Sequence, residues 1–245
     1  MFQMNKTISL AAALLALSGA AHAHQIWIEQ PAGQPASIRF GEFGENLREV
    51  SPGLLDRFGT PTATLLAASG DKTASGVKTA NGFTLPFTLG ERDSLVAEDP
   101  RYPLRTFKRG DTEVTSRYYP AARWVSDFTA QQPKLTLDLV PAGQPGAFKA
   151  FYQGKPLPKA KVQLVTQSGW AKEGHTDEHG VVTFDMPWKG MYVAEIAHND
   201  PAPGERQGAN GAEKYTTTAH VTSVTYIKRD GIEPLPAGPA ATPNK

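Results

Sequence analysis

The chain has 245 residues, with 25 Lys and Arg against 24 Asp and Glu, for a formal net charge of +1. That balance lacks the basic stripe that phosphate recognition needs, so nucleic acid is not an expected partner. The absence of cysteine excludes disulfides, thiolate metal sites and cysteine nucleophiles, and 23 glycines with 20 prolines favour a turn-rich β protein over a helical bundle.

Residues 1–23 read as a secretory leader. Lys6 supplies the positive n-region, Ile8 to Leu17 the apolar run, and Ala21-His22-Ala23 the small-x-small cleavage site. The run is shorter than the roughly 20 apolar residues that cross a bilayer, and no later segment reaches that length. The expected product is a periplasmic or secreted protein that does not span the membrane and begins at His24. Cleavage there frees an α-amine, which deprotonates near pH 8, well below a lysine amine. Together with the His24 imidazole Nδ1 it closes a chelate ring, so one residue offers two nitrogen ligands to a transition metal.

Gln25 to Gln30 alternates like a strand, with Ile26 and Ile28 on one face, and Ala36 to Gly41 forms a second. Phe43 to Arg57 is polar and reads as a loop with one helical turn. Strand-like segments follow at 62–68, 83–89, 93–98 and 113–119, with an exposed loop rich in Pro, Arg and Lys expected at 99–111. Residues 121–128 and 135–139 are stronger strands. No segment holds a 3.6-residue period. The Pro- and Gly-rich stretch 141–146 is the expected boundary between an N-terminal β-sandwich domain, 24–140, and an Ig-like or prealbumin-like β-sandwich, 147–228. In the second unit, strands are expected at 147–153, 160–166, 172–176, 181–184, 191–198 and 215–226. Asp177-Glu178-His179-Gly180 forms a hairpin turn, and a loop runs from Asn199 to Gly211. Residues 229–245 carry four prolines and are expected to be a disordered tail. The whole is an all-β protein.

Three segments of the second unit, "GKPLPKAKVQLVTQSGW", "TDEHGVVTFDMPWKGMYVAEIAH" and "AHVTSVTY", resemble the C-terminal half of DUF4198 proteins, a family associated with periplasmic nickel and cobalt uptake. The start "AHAHQIWIEQ" resembles the mature N-terminus of that family, a His followed by a hydrophobic strand. The resemblance implies a periplasmic all-β protein connected with transition-metal uptake, acting partly through its N-terminal His. It matches His198 to a strand end and His220 to the closing strand. Some members carry a C-terminal transmembrane helix, which this chain is expected to lack.

Besides His24, the histidines after the leader are His175, His179, His198 and His220. His198 and His220 lie on consecutive predicted strands, which neighbour each other roughly two-thirds of the time. His24, His198 and His220 are therefore the candidate ligands for Ni, Co, Cu or Zn, with Asp200, Glu205 and Glu42 as possible additional ones. His175 and His179 flank the hairpin turn and read more simply as turn residues. Trp27 reads more simply as core than as a pocket wall. There is no Gly-x-Ser-x-Gly elbow, phosphate-cradling loop or His-Glu-x-x-His, so a non-catalytic role is expected. The leading expectation is a metal-binding protein serving a metal-uptake receptor or permease. An adhesion or scaffold sandwich with incidental histidines is the alternative. A copper enzyme with an N-terminal His brace is the remaining one.

Overall fold

The structure, a computed structural model, describes residues 24–244. The leader expected at 1–23 lies outside the described residues. The chain folds as an all-β protein. In order, the strands are β1 (Gln25–Glu29), β2 (Ser37–Glu42), β3 (Leu47–Arg48), β4 (Thr62–Leu66), β5 (Lys72–Ser75), β6 (Val77–Thr79), β7 (Gly82–Thr84), β8 (Ser94–Glu98), β9 (Arg105–Arg109) and β10 (Thr112–Val125). They continue as β11 (Leu137–Pro141), β12 (Ala147–Tyr152), β13 (Lys155–Pro156), β14 (Lys161–Thr166), β15 (Ala171–His175), β16 (Val181–Thr183), β17 (Gly190–Asp200), β18 (Gly204–Gly208), β19 (Gly211–Tyr215) and β20 (Thr217–Lys228). A single 3-10 turn spans Leu54–Arg57.

The organising layer is a nine-stranded sheet in the order β15-β14-β17-β20-β10-β8-β4-β5, with β9 paired to β10. Its middle is the parallel ladder between β10 and β20, in register from Ser116↔Thr217 to Val125↔Tyr226. A five-stranded sheet, β1-β2-β7-β6 with β3, covers one face, and a four-stranded sheet, β11-β12-β13 with β16, covers the other. Side-chain alternation on β20 shows the two faces directly. The Ser223 hydroxyl donates to the Ile26 carbonyl of β1 at 2.6 Å. Its neighbour Thr222 donates to the Leu137 carbonyl of β11 at 2.7 Å.

Each face has its own core. On the β1 side, Ile26, Ile28, Phe40, Leu55, Phe83, Leu95 and Trp124 pack together. On the β11 side, Val125, Leu139, Phe148, Leu164, Tyr192 and Val224 do so. Adjacent residues of β10, Trp124 and Val125, thus enter different cores. The two cores therefore share β10 through alternate residues, rather than changing over at the expected boundary. The stretch 141–146 is the turn of a hairpin, since β11 and β12 pair from Leu137↔Tyr152 to Pro141↔Phe148. Its Pro and Gly content served a tight reversal, with Gly143 and Gly146 at positive φ, rather than a linker.

Other expectations are corrected similarly. The loop expected at 99–111 contains β9, which pairs with the start of β10 from Arg105↔Ser116 to Arg109↔Thr112. The segments 113–119 and 121–128 belong to one long strand. Pro120 lies between the stretch paired with β9 and the stretch paired with β8, so the strand runs through it. The loop expected from Asn199 to Gly211 is instead the end of β17 and the hairpin β18–β19. The tail 229–245, expected to be disordered, is extended and held against the body as far as it is described. Ile232 bridges Trp188, the Asn46 side chain donates to the Gly238 carbonyl at 2.8 Å, and Asn244 reaches Glu49. A segment without periodicity of its own is ordered here by backbone groups it finds elsewhere.

A buried ion pair locks the shared sheet to its cover. Arg123 and Asp138 have no exposed side-chain surface. Arg123 donates from Nε to Asp138 Oδ1 at 3.0 Å and from one terminal nitrogen to Oδ2 at 2.5 Å. The other terminal nitrogen donates to the Gln131 side chain at 2.8 Å and to Ser94 Oγ at 3.2 Å. Asp138 also accepts the backbone amides of Lys134 and Leu135. Removing one partner strands the other charge in the interior. Arg123→Ala or Asp138→Ala is expected to cost about 3–5 kcal/mol in urea unfolding, and the double variant Arg123→Met/Asp138→Leu clearly less than the sum of the two.

Candidate functional site

His24 precedes β1, and its position is set by backbone and side-chain contacts from three elements. The Tyr118 hydroxyl of β10 donates to the His24 carbonyl at 2.5 Å. The ring leans on Phe40 of β2, with centroids 5.1 Å apart. Glu42, at the end of β2, and Glu49, just after β3, flank it across the β2–β3 turn. That turn requires Gly41, whose φ is +143°. A Cβ there would lie 2.3 Å from the Leu47 carbonyl oxygen, so only glycine lets the returning strand come this close.

The two carboxylates take opposite edges of the imidazole. Nε2 lies 2.5 Å from Glu49 Oε1, and Nδ1 lies 3.2 Å from Glu42 Oε1. Glu49 has no exposed side-chain surface. It also accepts from the Asn244 side chain at 2.6 Å and the Asn244 amide at 2.9 Å. A buried carboxylate accepting from Nε2–H fixes the tautomer, leaving the Nδ1 lone pair directed at Glu42. A lone pair facing a carboxylate oxygen is repulsive unless a cation stands between them, so the geometry favours a proton or a metal ion at that edge.

A third carboxylate stands nearby. Glu195 of β17 accepts from the Gln25 side chain at 2.5 Å. Burial, then the charge of Glu42, pushes its carboxyl up to about 7, against the opposing hydrogen bond from Gln25. Among the described residues, no three His, Asp or Glu side chains converge as a ready metal cage. Around His24 this is because Glu42 and Glu49 sit on opposite nitrogens. A chelate there takes its further donor from the backbone nitrogen.

On the other face of the central sheet lies a second group. His198 of β17 and His220 of β20 are direct cross-strand partners, and His220 is beside Tyr119 of β10. Tyr152 of β12 covers both imidazoles, its ring centroid 4.3 Å from that of His198 and 5.4 Å from that of His220. The Tyr152 hydroxyl donates to Asp200. That bond, with the Ala202 amide, holds the Asp200 carboxyl below its ordinary value, while burial and then Asp200 push the Tyr152 phenol up to about 12. Arg117 stacks over Tyr119 at 4.6 Å. Burial, then Arg117 and His198, lowers His220 to about 4.

The structure thus brings His24 together with Glu42, and His198 together with His220 and Asp200. It does not bring the two groups together, because His24 lies on the β1 face and His198 and His220 on the β11 face. A single centre combining His24 with either histidine is not formed. Glu205 is exposed on β18, opposite Lys214, away from any histidine pairing. His175 and His179 are exposed. The Asp177 side chain accepts the His179 and Val181 amides in the turn. Trp27 is fully buried against Phe43, Val165 and Val193, as core. Glu49, Tyr118, Glu195, Tyr152 and Asn244 went unsingled in the sequence. No sequence signal marked Glu49, which directly follows β3.

Residues 125–200 match the DUF4198 family, a domain of unknown function. The match begins at Val125, the last residue of β10, and ends at Asp200, the last residue of β17. It contains His198 and Asp200 but neither His24 nor His220. No curated protein matches the chain.

The two titrating groups give opposite pH dependence. Glu195 holds its proton more tightly folded than unfolded, where its value is near 4.5. Its contribution is complete below pH 4.5 and is lost as the pH rises through about 7. His220, ordinarily near 6.5, contributes fully above that value and loses its contribution as the pH falls through about 4. In urea titrations from pH 4 to 8, Glu195→Gln is expected to abolish a decline of about 2–3 kcal/mol toward high pH. His220→Asn is expected to remove the loss toward low pH, so each variant unmasks the slope of the other group.

Proposed function

We propose that this chain with a DUF4198 segment is an exported, periplasmic transition-metal-binding protein that hands its metal to an uptake receptor or permease. Its binding centre on this reading is His24 once the leader is removed. The observation that carries the reading is the pairing of His24 with two carboxylates of different burial. Glu49, fully buried, takes Nε2 and orients the ring, as carboxylates do behind metal-bound histidines. Glu42, partly exposed, stands 3.2 Å from Nδ1, where it adds a negative oxygen beside the nitrogen of the chelate ring. The chain's own residues therefore fit a cation at this edge: an amine and an imidazole nitrogen from His24 and a carboxylate from Glu42.

Such a nitrogen-rich site suits Ni, Co, Cu and Zn. Affinity order alone favours Cu(II), whereas the family resemblance favours nickel or cobalt as cargo. The ligands must lose protons to bind, so affinity falls as the pH drops.

The test is metal titration of protein trimmed in the periplasm, its first residue verified by intact mass. One equivalent of Ni(II) or Cu(II) is expected at His24, and that equivalent is lost in a version carrying an extra residue ahead of His24. Glu49→Gln is expected to weaken it about 10–100-fold. Equal affinity of the trimmed and extended proteins, or a trimmed chain starting elsewhere, overturns the reading.

A further inference from the structure

His198 and His220 face each other across an antiparallel pair, where side chains of opposed residues start only about 4.5–5.5 Å apart at Cβ. Two imidazoles so placed can close on one ion, since a metal takes each nitrogen at about 2.0–2.1 Å. His220 is 6% exposed, and its Nδ1 is buried with no hydrogen-bond partner among the described residues. Buried polar atoms in folded proteins are almost always partnered, so an orphan of this kind marks a position that something else fills. Asp200 lies two residues beyond His198, on the same face of β17, its carboxylate now engaged by Tyr152.

The charges around the pair select the class of occupant. Asp200 from β17 and Glu98 from β8 are acidic, and Glu98 accepts from Tyr119 at 3.0 Å. Arg117 from β10 is the opposing cation, and it is sandwiched between the Tyr119 and Tyr215 rings at 4.6 and 5.5 Å. Two imidazole nitrogen donors with a carboxylate alongside are ligands for a borderline divalent cation and poor partners for an anion.

We infer that His198 and His220, with Asp200 as a third donor when it turns from Tyr152, form a second site for a divalent transition metal, independent of His24. The central sheet separates the two sites, so the second needs no trimmed N-terminus. Two imidazoles on paired strands and a carboxylate in place of an amine also give a copper complex with a different ligand set from the His24 chelate. Tyr152 closes over this site, so loading displaces its hydroxyl from Asp200 and alters tyrosine emission.

The experiment uses the full mature chain in two forms, one starting at His24 and one with an extra residue ahead of it, each titrated with Cu(II) and with Zn(II). The extended form is expected to retain one equivalent. Loss of that equivalent in both His198→Ala and His220→Ala, and an approximately tenfold weakening in Asp200→Asn, support the site. Imidazole nitrogen NMR of the unmutated extended form gives a reading that does not depend on variants folding. Zn(II) is expected to shift the His198 and His220 rings together. Failure of the extended form to bind at micromolar metal, or shifts confined to His175 and His179, overturns the inference while leaving the His24 reading intact. One equivalent in both forms, lost on mutation of His198, sustains this site and removes the other.

Discussion

The parallel ladder between β10 and β20 is the constraint from which the rest of the molecule follows. It joins a strand from the first half of the chain to the last strand of the second, in ten residue pairs. Once that register is set, alternation decides which face every neighbouring side chain meets. Tyr118 goes to the β1 face and holds His24 by its carbonyl; Tyr119 goes to the other and stands beside His220. A slip of one residue would exchange these environments and drive Arg123 away from Asp138. The buried bidentate pair therefore also acts against misregister, because only one alignment satisfies both charges.

This arrangement explains why the chain looks divisible and yet is joined. Two apolar cores, one on each face, would ordinarily describe two β-sandwiches placed end to end. Here they are built on opposite sides of one sheet, and β10 contributes to both through consecutive residues. The family match runs from the end of β10 through β17, over strands that build the β11-side sandwich. The β1-side layer, which carries His24, is added across the back of the same strands.

Much of the fold was legible because the signals were local. Alternation in 25–30 and 160–166, the Asp177–Gly180 turn, and the closing strand all rest on residues close in sequence, and the structure forms them. The misreadings came where tertiary context reassigns a local signal. Pro and Gly at 141–146 mark a reversal as readily as a linker, and only the partner strand distinguishes the two. The burial of Arg123 carried no signal in the sequence, since a guanidinium is buried only when a distant carboxylate meets it. The candidate site was half legible. Chelation by an N-terminal histidine is a property of one residue, and Glu42 was within reach by eye. Glu49 and Asn244 were not, because nothing in sequence indicates that residues 25 and 220 positions away from His24 converge on it. The separation of His24 from His198 and His220 was invisible for a related reason: a strand order does not reveal which side of a sheet a side chain takes.

The meeting of His24, Glu49 and Asn244 has a practical consequence for handling the molecule. His24 and Asn244, the first and last described residues, arrive at the same buried carboxylate, so neither end of the described chain is a neutral place for an appendage. An oligohistidine affinity tag at either terminus sets a row of imidazoles against the ring edge on which metal chemistry would depend. Purification by immobilised nickel would then report on the tag rather than on the protein. An appendage inserted at the tip of the β9–β10 hairpin, around Gly110, is carried on exposed strands instead. That leaves His24 and Asn244 free to keep their native company.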